Sequence, residues 1–114
     1  MSERMKQTPG PWNASWNGTW IVKSVAGWLI AKIAPPTHYT PEQVEGHAHL
    51  IAAAPELLEA LRLGWAFHSC PFASGSINEF RAAGYTGEVD AAEMRHWLAN
   101  KQLAAIAKAT GGTL

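Results

Sequence analysis

The residues best equipped for chemistry fall in two short clusters. His47-Ala48-His49 and His68-Ser69-Cys70 together offer three imidazoles and a thiol, a donor set that suits tetrahedral zinc. Spacing tells against a shared ion, because side chains two positions apart on a helix point about 200° away from each other, and His47 and His49 lie inside a helical apolar pattern. Ser69-Cys70 beside His68 has the atoms of a thiol nucleophile and its base. A base two positions along the chain is poorly placed to take the thiol proton, however, and no flanking motif accompanies it. Glu56 and Glu59 have the spacing of an acid–base pair on one helix face, yet they flank an apolar stripe, where a solvated face belongs. The glycines fall at turns and helix ends, not in a phosphate-cradling loop. The expectation is a protein that is not an enzyme, with no catalytic residue, no metal site and no cofactor.

What stands out instead is tryptophan. Six occur in 114 residues, and Trp12, Trp16, Trp20 and Trp28 crowd the first quarter. They fall in a stretch that reads as a three-stranded antiparallel meander over residues 12–34. Asn17-Gly18 separates two aromatic-rich runs and suits a type I′ hairpin turn, and Ala26-Gly27 closes the second hairpin. With two-residue loops, Trp16 faces Thr19 and Val25 faces Trp28, and alternation fixes both faces. One face carries Trp20, Val22, Ser24, Leu29, Ala31 and Ile33, without charge, and is assigned to the core. The other carries Trp12, Trp16, Ile21, Lys23, Val25, Trp28, Ile30 and Lys32. That apolar face must be covered by the chain's own N-terminal and loop segments, by a second copy or by a foreign partner, and from it come the expected partner-binding residues: Trp12, Trp16, Lys23, Trp28 and Lys32.

Helices must supply the cover. Thr40-Pro41-Glu42-Gln43 has the offsets of a capping box with proline at the first helical position. The stripe Val44, His47, Ala48, Ile51, Leu57, Leu58, Leu61 and Trp65 keeps helical spacing, so a helix is expected over 40–68, kinked or broken near Ala53-Ala54 by Pro55. Within a loop region over 69–89, Ser76 opens a short helix that stops at Gly84. Asp90 caps a C-terminal helix over 90–110 that ends before Gly111-Gly112. Together these make one α+β domain, with an N-terminal arm over 1–11 and the helices packed on the uncharged sheet face.

Charge narrows the function classes. Nine Lys and Arg balance nine Asp and Glu, which excludes a generally basic nucleic-acid binder and an acidic solvating tail. Residues 1–36 nevertheless carry a net +3 and residues 37–69 a net −3, so sheet and helix are expected to attract. Stacking of single-stranded nucleic acid on the Trp face is disfavoured by the shortage of basic residues beside Lys23 and Lys32. The chain lacks an apolar run of about 18 residues and a secretory h-region, and a lone Cys70 suits a reducing compartment. These point to a soluble protein of the cytosol.

Two segments carry a resemblance. Thr8-Pro9-Gly10-Pro11-Trp12 before a Trp-containing hairpin, and His47 to Leu61, reading HAHLIAAAPELLEAL, resemble a family of small proteins encoded by tailed bacteriophages and prophages. Its members read TPGPW, then a short meander, then NARLIAAAPELLEAL, and often end in a helix like Ile106 to Gly111. His47 stands where the family has Asn, and the stretch from Gly64 to Asp90 has no counterpart in that pattern. The resemblance implies a phage accessory protein that binds a host protein or ribonucleoprotein complex. It further implies opposition to bacterial immunity of the CRISPR–Cas kind. The alternatives are a homodimeric structural or regulatory accessory, in which the Trp face is closed by a second copy, and a small nucleic-acid-binding accessory.

Overall fold

The computed structural model describes residues 8–33, 39–69 and 72–112. Residues 1–7 of the expected arm, the Pro35-Pro36 break and Cys70 lie outside the described residues. Three strands, β1 (Trp12–Trp16), β2 (Trp20–Ser24) and β3 (Leu29–Ile33), form an antiparallel sheet in the order β1-β2-β3. Four helices follow: α1 (Pro41–Ala52), α2 (Ala54–Ser69), α3 (Ser74–Ala82) and α4 (Ala91–Ala109). The α+β class and the element order are those expected.

The first hairpin corrects the sheet's faces. Trp16 pairs with Trp20, Ala14 with Val22 and Trp12 with Ser24. The loop therefore holds three residues, Asn17, Gly18 and Thr19, and not two. Gly18 takes the positive φ of +77°. The Asn17 N–H donates to the Thr19 carbonyl at 3.0 Å, while the Thr19 hydroxyl donates to the Ile33 carbonyl at 2.9 Å. One extra loop residue slips β1 by one position and turns all its side chains over. Trp12 and Trp16 thus share a face with Trp20, Val22 and Ser24, not with Lys23 and Lys32.

The second hairpin keeps the expected register from Trp20↔Ile33 to Val22↔Ala31, then shifts between Val22 and Lys23. Beyond the shift, Ser24 closes a wider loop: its N–H donates to the Trp28 carbonyl at 2.9 Å and its hydroxyl accepts from the Trp28 N–H at 3.2 Å. Leu29, expected in the core, is consequently exposed.

Helix α1 lies on the Val22 face of the sheet. Its start is the expected capping box: the Gln43 N–H donates to Thr40 Oγ1 at 3.2 Å, and the Thr40 N–H to Gln43 Oε1 at 2.8 Å. Ala48, Ala52 and Ala53 are fully buried, small enough to let the helix approach the strands. The helical path breaks at Ala53, and Pro55 occupies the first turn of α2, where its missing N–H leaves no bond unmade.

Ser76 is not the cap of α3. The helix begins two residues earlier, after Ala73, and buried Ser76 donates its hydroxyl to the Ala66 carbonyl of α2 at 2.9 Å. Gly84, at φ +108°, follows the end of α3. Asp90 caps α4 by accepting from the Glu93 N–H at 2.9 Å. The second part of the core lies among α2, α3 and α4: Leu63, Phe80, Tyr85, Met94 and Leu98, with Phe67 and Trp97 packed against it. A radius of gyration of 16.4 Å exceeds the roughly 13 Å of a compact domain this long. An elongated body leaves much of its apolar surface uncovered.

Candidate functional site

Helix α2 is turned opposite to the expected way. Glu56 and Glu59, placed by sequence on the solvated side, face α4: Lys108 Nζ donates to Glu56 Oε2 at 3.0 Å and Lys101 Nζ to Glu59 Oε1 at 2.7 Å. Lys101 also stands 5.4 Å from the centre of the Trp97 ring. The acidic middle of the chain is thus neutralised by the C-terminal helix. Lys23 and Lys32, expected to attract it, are exposed and make no ion pair among the described residues.

With the glutamates facing inward, the apolar stripe faces out. Ala54, Leu57, Leu58, Leu61 and Trp65 recur at three- and four-residue intervals on one side of α2. Leu57 and Leu58 are half-buried, whereas Leu61 is 72% and Trp65 71% exposed. His68 extends the line, its ring 6.3 Å from that of Trp65. No charged side chain interrupts this face, and a helix stripe of that kind ordinarily lies against a core. Sequence reasoning placed these residues in the core. The signal it missed was the second apolar side of α2, Ala60, Leu63 and Phe67, which packs inward beside Glu56 and Glu59.

The expected partner-binding residues are not brought together. Trp12 is half-buried and its indole N–H donates to the Thr8 carbonyl at 3.2 Å. It walls a groove of about 910 Å³ with Pro9, Pro55, Leu58, Arg62 and Glu79, so the two motif segments that carried the family resemblance meet there. Trp16 is 64% exposed at the end of β1, its ring edge-on to Trp20 at 5.9 Å. Trp28, 69% exposed, lies in the second loop. Lys23 and Lys32 point to the sheet face away from Val22.

The chemical clusters are dispersed as well. His49 lies against Trp20 at 5.6 Å, with Nε2 3.4 Å from Glu45 Oε2, while His47 is exposed against Tyr39 at 5.2 Å. Among the described residues no group of three or more His, Cys, Asp or Glu could hold a metal ion. Nor is any helix among them long and apolar enough to cross a membrane. Among the described residues one ionisable group is clearly perturbed. Burial raises the Tyr85 phenol above its ordinary value, and the Glu93 carboxylate adds to the rise while Arg81 opposes it. The phenol donates to the Glu88 carbonyl, and Arg81 donates to the carbonyls of Tyr85 and Gly87 at 3.1 and 2.8 Å. That cluster holds the turn between α3 and α4.

A small α+β protein with an apolar helix face turned outward is the class that fold and surface define. The chain belongs to the family of Salmonella phage P22 protein Y8K6, whose pattern it matches over residues 1–113. It is a bacteriophage-family protein, as the two motif segments implied. No curated protein and no solved structure matches it.

Proposed function

We propose that this phage-family protein works by non-covalent binding of a host protein, or a host ribonucleoprotein complex, through the outer face of α2, and is not an enzyme. The observation that carries the reading is the exposure of Leu61 and Trp65 side by side on a helix whose acidic side is engaged by α4. Aromatic and aliphatic anchors flanked by an arginine, as Leu61 and Trp65 are by the exposed Arg62, are the composition of interface centres. Trp65 supplies a large, rigid area, and His68 a polar end to the strip. The narrower expectation, inhibition of bacterial antiviral immunity, rests on the family resemblance alone and no feature of this surface adds to it.

Leu61→Glu combined with Trp65→Glu tests the reading, since both side chains already meet solvent and the variant is expected to keep its circular dichroism spectrum. Wild-type protein used as bait in a bacterial lysate is expected to retain a defined partner that the variant loses. A concentration-dependent dimer abolished by the same substitutions would assign the face to a second copy of the chain, the homodimer alternative, and would overturn the host-partner reading.

A further inference from the structure

A second site lies away from α2, where the first hairpin meets the start of α1. Trp16, Trp20 and Tyr39 wall an open pocket of about 210 Å³ whose remaining surface comes from Thr19, Pro41 and Val44, among others. The rings are held from behind. Trp20 rests on His49 at 5.6 Å, Tyr39 stands edge-on to His47 at 5.2 Å, and Trp16 is edge-on to Trp20 at 5.9 Å. Its volume is below the roughly 300 Å³ at which pockets for drug-sized ligands begin, so it suits a small ring and not a cofactor.

Charge and hydrogen bonding select the occupant. Among the described residues that line the pocket none is Asp, Glu, Lys or Arg, so a quaternary ammonium among the aromatic rings would meet no counter-charge there. Among the described residues the indole N–H groups of Trp16 and Trp20 and the Tyr39 hydroxyl make no hydrogen bond. Aromatic walls with free donors, and no acidic group, match a polyproline II segment. Its rings are flat and apolar, and its backbone carbonyls have no internal partner.

We propose that this pocket binds a proline-rich, extended segment of a partner protein. The site stands apart from the α2 face, so either can fail without the other. Calorimetric titration of the full chain with a short all-proline peptide, and separately with tetramethylammonium chloride, tests it. The peptide is expected to bind saturably, with affinity reduced about tenfold or more by Trp16→Ala and unchanged by Trp28→Ala or by Leu61→Glu with Trp65→Glu. Should Trp16→Ala fail to fold, Tyr39→Ala replaces it with the same expected loss. Absence of saturable peptide binding overturns the proposal, as does binding that the pocket variants leave intact. Saturation by tetramethylammonium without peptide binding would make the site a cation cage, and a dimer lost on Trp16→Ala would give the pocket to a second copy. Either result contradicts a proline-rich ligand.

Discussion

Lys101 reaches across from α4 to donate to Glu59 at 2.7 Å, and that contact, repeated by Lys108 on Glu56 at 3.0 Å, lies on the side of α2 that also buries Ala60 and Leu63. Once the acidic residues face α4, helical geometry leaves Leu61 and Trp65 no inward position. Both ion pairs are partly solvated, so each contributes only up to about 1 kcal/mol. The rotation itself is set by the burial of Ala60 and Leu63 on the same side of the helix, and the ion pairs neutralise the two carboxylates that this rotation brings inward.

The first prediction separates the two sides of α2. Leu63→Ala, on the buried side, is expected to lower unfolding free energy by about 2–5 kcal/mol. Leu61→Ala or Trp65→Ala is expected to change it by no more than about 0.5 kcal/mol. Urea unfolding followed by circular dichroism measures both. A large loss from Leu61→Ala would mean that the stripe is covered within the chain.

Two glycines are expected to respond in opposite directions. A Cβ at Gly10 would lie 2.7 Å from Pro55 Cβ and 2.9 Å from its Cγ, where a proline ring has little room to move. Gly10→Ala should cost about 1–3 kcal/mol by parting the arm from α2. Gly46, inside α1 with nothing within 4 Å of a Cβ, should gain about 0.5–1 kcal/mol on replacement by Ala. Thermal unfolding of the two variants reads the contrast directly.

Ser76→Ala removes the hydroxyl that ties α3 to the Ala66 carbonyl. A loss of about 0.5–1.5 kcal/mol is expected, with hydrogen exchange faster in α3 than in α1. Uniform acceleration across both helices would assign Ser76 no local role.

Tyr85 gives the stability a pH dependence at the alkaline end. Its phenol is raised in the folded protein by burial and by Glu93, whereas the unfolded chain titrates near the ordinary value of about 10. The folded state therefore holds the proton longer. This stabilisation is complete below about pH 10 and is lost as pH rises through the folded value, because the unfolded state then binds fewer protons. Unfolding free energy should fall with rising pH in that window, and Tyr85→Phe should flatten the fall.

Much of this fold is legible in local chemistry. The Thr40–Gln43 capping box, the Asp90 cap, the stop at Gly84 and the break before Pro55 each depend on residues within one turn of one another. The sheet faces were not legible, because Asn17-Gly18 favours a two-residue turn while Thr19, bonded to Ile33 fourteen positions away, makes it three. That single residue moved Trp12 and Trp16 to the face of Trp20. The candidate surface was hidden for a similar reason. Helical spacing finds the stripe from Leu57 to Trp65 but not its direction, which is set by packing against α4, forty and more residues further along the chain. The family motifs TPGPW and LIAAAPELLEAL were legible as text, and their meeting at Gly10 and Pro55 gives them a shared structural reason.

The most direct test of the central claim is quantitative affinity capture from a bacterial lysate, with wild-type protein and the folded Leu61→Glu, Trp65→Glu variant as parallel baits. The account predicts a host protein enriched on the wild type and lost on the variant, with capture unaffected by Trp28→Ala. Equal capture by wild type and variant would contradict it and remove the outer face of α2 as the binding surface.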